Sequence, residues 1–246
     1  YEVSRISKYA GAKEWTLERF LELANPEIFD FAFSFDEFPA PPEQTWQEYA
    51  EKLEFVFEKH GSKIADEKLI PVIHLADRDG TNRYSDEDAT ALVTQVAESR
   101  NFQFVAVTER EMGAGLSSRV ALVSKIKTAL SSKTEAKLHI LGCGNPLAFA
   151  AFAEAGADSC DGLEWCRTYC SADMRLYHFQ HSEAVGHAIQ PVTVQAEMLL
   201  ETTNDFYIRT SVINLNNFSH IARNIQEAPQ NATAFMATAY GEPIRL

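Results

Sequence analysis

Polar side chains stand where the expected strands stop. Asp36 follows Ile28–Phe35, His74 sits near the end of Leu69–Ala76, Thr108 and Glu109 end the run from Phe102, and Asp161 follows Asp158–Cys160. Asp36 and Asp161 are the pair with the clearest chemistry. Two carboxylates near one site suit reaction at a sugar carbon, where positive charge develops in an oxocarbenium-like transition state. One of them can attack and hold a covalent glycosyl intermediate. The alternative for both is an ordinary capping or loop aspartate. His74, close to Asp77 and Asp79, has two readings as well: a hydrogen bond to a ligand, or satisfaction by backbone. Downstream of Asp161, Arg167 could meet a phosphate and Trp165 could stack or wall off a pocket. Ordinary packing at a sheet rim explains them equally well.

The elements that must position these groups follow from the pattern around them. Leu138–Arg167 reads as a buried strand, a glycine turn, an apolar helix capped by Asn145 and started by Pro146, a second strand, and then Asp161. Upstream, Trp15–Ala24 has helical spacing. Ile28–Phe35 is a continuous apolar run, as expected of a strand buried on both faces. Thr45 and Glu48 form a capping box that opens a helix with Trp46, Tyr49, Leu53, Val56 and Phe57 as its buried stripe and Gly61 as its stop. Ser85 caps another helix, which buries Leu92, Val93 and Val96. Phe102–Thr108 is a strand, and residues from about Ser117 to Leu130 form a helix. Leu176–Gln180 is a further strand candidate. Asp205–Glu227 is expected to be helical, with Phe206, Ile213, Leu215, Phe218 and Ile221 as its apolar positions.

Short apolar strands alternating with amphipathic helices predict an α/β fold with a parallel sheet. Gly142 and Gly144 lack the third glycine of a dinucleotide fingerprint. Polar groups spread over many strand ends favour a (β/α)8 barrel over an open sheet, since strand C-termini carry barrel active sites. Five β-α units are legible. Either three strands lie upstream of Tyr1 or the sheet is open. No internal boundary divides residues 1–246, which read as a single domain, with 171–246 harder to place.

Composition narrows the class. The 246 residues are 46% hydrophobic and 23% charged, an ordinary globular balance. No apolar run approaches the ~20 residues of a membrane helix. The opening YEVSRISKYAG is charged and lacks a signal-peptide core, and the four cysteines are too sparse for a disulfide scaffold, so a reducing cytoplasm is expected. A net charge of −13 and a pI of about 5.0 argue against a protein that coats nucleic acid through a broad basic face. They leave room for an enzyme with a local basic patch, or for a partner protein that supplies positive charge. Cys166, Cys170, His178 and His181 invite a zinc reading, but their spacing matches no tight structural zinc pattern, and buried free thiols rank ahead of it.

Three stretches taken in order resemble one family: FSFDEFPAPP from Phe33, HILGCGNP from His139, and GADSCDGLEWCR from Gly156. They are similar to the base-exchanging tRNA-guanine transglycosylases. Within that superfamily, the Gly144-Asn145-Pro146 and Cys160–Cys166 wording is closest to the branch that places 7-deazaguanine bases in DNA. The resemblance covers residues 1–167. It implies a (β/α)8 barrel whose first strands, with an Asp-Ser-Gly-Gly motif carrying the general acid/base aspartate, lie just before Tyr1. It implies that Asp161 attacks the sugar C1′, that Asp36 and His74 contact the base, that Leu141 and Gly142 line the base slot, and that Tyr1 stacks on the base. Arg167 falls where the family places a phosphate-contacting arginine. The partners implied are DNA, or alternatively tRNA, and a free 7-deazaguanine base such as preQ0; no cofactor and no membrane are implied. The zinc motif of the tRNA enzymes is missing, so no metal is expected, and Glu164 and Trp165 replace their usual Pro-Thr. Outside the family, a non-catalytic barrel binding a purine or a partner protein is the remaining reading.

Overall fold

The computed structural model describes residues 16–36, 45–77, 80–100, 102–143, 145–162, 168–170, 176–178, 215 and 219–232. The chain is mixed α/β with parallel strand pairing. It divides into two compact units, one of Tyr1–Met112 with Lys125–His139, the other of Gly113–Ser124 with Ile140–Leu246.

The first unit begins with α1 (Leu17–Leu23) and β1 (Ala32–Phe33), followed by α2 (Trp46–His60). The expected capping box is present at the start of α2: the Thr45 hydroxyl accepts the Glu48 N–H at 3.3 Å, and Glu48 Oε2 accepts the Thr45 N–H at 2.7 Å. Tyr49, Leu53, Val56 and Phe57 are buried as the spacing requires, whereas Trp46 is only half-buried and lines a shallow surface groove with Thr90, Thr94 and Lys125. Gly61 does end the helix, but in right-handed backbone (φ −55°, ψ −19°), so a glycine is not sterically required there.

The apolar run Leu69–Ala76 is split. β2 (Leu69–Ile70) pairs in parallel with β1, and β3 (Val72–Ile73) pairs in parallel with β4 (Phe104–Thr108). Pro71 is the reason: it has no N–H to continue a ladder, and its carbonyl instead accepts the Ala106 N–H at 2.8 Å. The following N–H, of Val72, donates to the buried Ser34 hydroxyl at 2.9 Å, while Ser34 N–H donates to the Ile70 carbonyl. A side-chain oxygen thereby stands in for the missing ladder acceptor. α3 (Asp86–Ser99), capped by Ser85, buries Leu92, Val93 and Val96, and it is tied to α2 through Arg100, which donates to Glu54 at 2.8 Å and to Asp66.

One expectation fails in this unit. Ile28–Phe35 is not a strand buried on both faces: only Ala32–Phe33 is strand, and Ile28, Phe31 and Phe33 are exposed. Among the described residues β1 has a single strand partner, and aromatic edges cover it only in part: Phe31 meets Phe104, and Phe33 meets His139.

α4 (Leu116–Lys133) and β5 (Lys137–Leu141) each run from one unit into the other along the chain. In the second unit, α5 (Pro146–Glu154) is capped by Asn145, whose side chain accepts the Leu147 N–H at 2.9 Å. Its sequence is apolar nearly all round, and such a helix must be covered on more than one side. Ala150 packs with Ile221, Ile225 and Ala232, flanked by Leu147, Phe149 and Ala153. Residues 219–227 supply that cover as a helix. Ile221 is buried as its apolar spacing suggests, but Leu215 is exposed, and the other apolar positions proposed for that helix lie outside the described residues. β6 (Ser159–Cys160) is hydrogen-bonded to β5 through Asp161 N–H and the Ile140 carbonyl at 3.2 Å. β7 (Thr168–Cys170) and β8 (Leu176–His178) pair antiparallel, and β8 falls within the strand candidate Leu176–Gln180. Among the described residues no helix is long and apolar enough to cross a membrane.

The Ser34 hydroxyl gives the first prediction. Ser34→Ala leaves the Val72 N–H buried without an acceptor, and should lower unfolding stability by about 1–3 kcal/mol in urea titration. A loss under about 0.5 kcal/mol would show that the hydroxyl is dispensable.

Candidate active site

Sequence-derived candidates group within each unit. In the first, Asp36 lies just beyond β1, His74 directly follows β3, and Glu111 lies in the 3-10 turn Glu109–Met112 that follows β4. All three therefore sit at the C-terminal ends of their strands, where a parallel β/α sheet carries its chemistry. Parallel pairing delivers this, because it points successive strand ends the same way.

The three side chains are bonded together. His74 Nε2 donates to Asp36 Oδ1, and His74 Nδ1 donates to Glu111 Oε1 at 2.7 Å. Ionised carboxylates only accept, so both ring nitrogens must carry hydrogen and the ring is an imidazolium. The His74 side chain is 5% exposed, Glu111 12% and Asp36 39%. Burial alone would pull the imidazole down, but the hydrogen bonds and charges of Asp36 and Glu111 outweigh it and raise the group from its ordinary 6.5 to about 9. The surrounding frame is fixed by backbone: Leu75 N–H donates to Glu111 Oε2 at 2.7 Å, and His74 N–H donates to the Tyr49 hydroxyl at 3.2 Å. Burial pushes the Tyr49 hydroxyl well above its ordinary range, so it stays neutral.

A second histidine, in the opposite protonation state, sets the backbone before Asp36. His60 Nε2 accepts the Phe35 N–H at 2.9 Å, and its Nδ1 donates to the Val56 carbonyl at 2.7 Å. One ring nitrogen must be a lone pair and the other an N–H, so His60 is neutral. Burial lowers its pKa in keeping with that.

In the second unit the Asp161 carboxylate is exposed, and its Oδ1 accepts the Gly142 N–H at 2.8 Å. Gly142 takes φ +74° directly after β5, a left-handed turn that aims its N–H at residue 161 instead of continuing the strand. An added Cβ there would meet nothing within 4 Å, so glycine is present for its backbone freedom and not for space. Leu141 is half-buried beside it, and Cys143 is buried.

Asp36 and His74 are thus brought together, as are Gly142 and Asp161. Tyr1, Trp165 and Arg167 lie outside the described residues, as do Cys166 and His181 of the zinc reading. The backbone register sets Cys170 opposite Leu176 and His178 opposite Thr168. Glu111 and His60 escaped the sequence reading. Glu111 lies three residues past its strand end, behind Glu109, and only the 3-10 turn decides which glutamate turns inward. His60 looks like one more polar residue in the last turn of a helix. No family model matches the chain, and no curated protein matches it.

The two histidines make stability depend on pH in opposite senses. His74 is raised above its unfolded value, so its contribution is complete below about pH 6.5 and is lost as pH rises through about 9. His60 is lowered, so its contribution is lost as pH falls below 6.5. Unfolding stability should therefore drop on either side of neutrality. The alkaline arm should amount to a few kcal/mol between about pH 6.5 and 9.5, and should disappear in His74→Gln. Urea titrations across pH check this; an unchanged alkaline arm in His74→Gln would refute the assignment.

Proposed function

We propose that this protein is a base-exchanging transglycosylase with a (β/α)8 barrel fold that replaces guanine in DNA by a 7-deazaguanine. The observation that carries the reading is the Asp161 carboxylate. It is exposed at a strand end, and the Gly142 N–H at 2.8 Å turns one oxygen to a fixed direction. A nucleophilic carboxylate needs this kind of orientation. The Asp36–His74–Glu111 cluster supports the second half of the reading, since a carboxylate held by an imidazolium is a fixed acceptor for the N–H edge of a purine. The resemblance of the FSFDEFPAPP, HILGCGNP and GADSCDGLEWCR stretches to the transglycosylases names the chemistry.

In the proposed reaction the target nucleotide leaves the base stack, because its sugar cannot otherwise be reached. An Asp161 oxygen bonds to C1′ as the bond from C1′ to guanine N9 breaks, and guanine departs after taking up a proton. The incoming 7-deazaguanine gives up its N9 proton, attacks C1′, and releases the carboxylate. One N-glycosidic bond replaces another, so the free-energy change is small and no nucleotide cofactor is required. Leu141 and Gly142 line the base slot in this reading, Tyr1 stacks on the base, and Trp165 and Arg167 meet the nucleic acid.

The test is a denaturing gel after incubation with a guanine-containing duplex oligonucleotide. A covalent protein–DNA band is expected, and Asp161→Asn should remove it together with exchange of labelled guanine. An Asp161→Asn protein that still exchanges base would refute the mechanism. Label entering tRNA and not DNA would keep the chemistry and overturn the choice of substrate.

A further inference from the structure

Glu111 has no task in the reaction above, yet both of its oxygens are committed. Its Oε1 accepts from His74 Nδ1 and its Oε2 from the Leu75 N–H, both at 2.7 Å, with the side chain only 12% exposed. Both oxygens are used inside the protein, so its effect on a ligand must pass through His74. Asp36, at 39% exposure, is the member of the trio that reaches solvent.

The consequence follows from donor and acceptor counts. A neutral His74 has one N–H. If that hydrogen stayed toward Glu111, the Nε2 lone pair would face the Asp36 oxygen, and two acceptors would repel. Asp36 would then turn away or take up a proton, and would offer a donor where an N–H of a base needs an acceptor. A second anion behind the ring prevents this by keeping the ring doubly protonated.

We propose that Glu111 is a positioning residue that, through His74, holds Asp36 as an ionised acceptor for a neutral purine or deazapurine base presenting N–H donors. This rests on the transglycosylase reading for its substrate class, but the Glu111–His74–Asp36 coupling itself does not. Among the described residues Tyr49 also faces His74; its hydroxyl accepts the His74 backbone N–H and remains neutral.

Glu111→Gln in the full chain separates positioning from a purely structural role. The amide oxygen can still accept the Leu75 N–H, so the backbone contact survives, while the amide NH2 now faces Nδ1 and favours a neutral ring with its one hydrogen on Nε2; Asp36 then keeps a hydrogen bond but loses the cation that holds it ionised. Nitrogen-15 NMR of the histidine ring, which needs no substrate, should show His74 doubly protonated at about pH 8 in the wild type. In Glu111→Gln its titration should move down by about one pH unit or more. KM for the free base should rise about ten-fold with kcat within about two-fold, and Glu111→Gln should have little further effect in a His74→Gln background. An unchanged His74 charge, or an unchanged KM in a protein that exchanges base, overturns the proposal. If the wild type exchanges no base, the transglycosylase reading falls. The coupling is then judged from the NMR titration and from guanine binding by calorimetry, and an unmoved titration or an unmoved Kd refutes it. If Glu111→Gln does not fold, raising the pH of the wild type through about 9 must itself raise KM or Kd for guanine as His74 loses its proton; a flat profile there refutes it as well.

Discussion

The first unit depends on one buried cation. Among the described residues His74 bridges Asp36 and Glu111, and their negative charges keep its ring protonated. The three residues come from separate strand ends, so the ring also fixes the relative setting of those ends. A lone imidazolium at this depth would be expelled or neutralised, because desolvation penalises charge. The two carboxylates make the position tolerable, and the Leu75 N–H in turn holds Glu111 in place. Removing either carboxylate leaves the remaining charges in a poor dielectric, which couples the three side chains.

The backbone leading into that cluster is arranged with equal economy. Pro71 breaks a run that would otherwise be one strand, and the break sends β2 to β1 and β3 to β4. Ser34 and His60 then supply, from side chains, the acceptors that a regular ladder would have provided to Val72 and Phe35. Asp36 is thereby delivered beyond a strand only two residues long. His60 does this as a neutral ring and His74 works as a charged one, so the same residue type fills opposite roles according to whether its partners donate or accept.

Asp36 and Asp161 are both carboxylates, but their surroundings prepare them differently. Asp36 is held by a cation, which suits a recognition contact that must remain an acceptor when a ligand displaces water. Asp161 is exposed and oriented by a backbone N–H from a left-handed glycine, which suits a group that must form and break a bond. Environment, not residue type, separates recognition from reaction in such pairs. The acidic balance of the chain adds no general attraction for a polyanion. In the proposed function, affinity for nucleic acid must therefore come from local groups or from a partner.

Local interactions made much of this fold readable from the chain alone. The Thr45 capping box, the Ser85 and Asn145 caps and the Tyr49–Leu53–Val56–Phe57 stripe depend on neighbours within about four residues, so spacing determines them. Strand-end placement likewise marked Asp36, His74 and Asp161 in advance. What spacing could not decide was anything set by a distant partner. Phe31 and Phe33 look like core residues but lie exposed, because burial depends on which strands arrive beside them. Glu111, and not Glu109, meets His74, because a single 3-10 turn chooses which carboxylate faces inward. The charge on His74 and the neutrality of His60 were likewise invisible, since a histidine's protonation is settled by atoms some 25 to 38 residues away along the chain. Sequence determines which groups stand at the strand ends; only the tertiary structure decides which of them touch, and contact is what sets their charge.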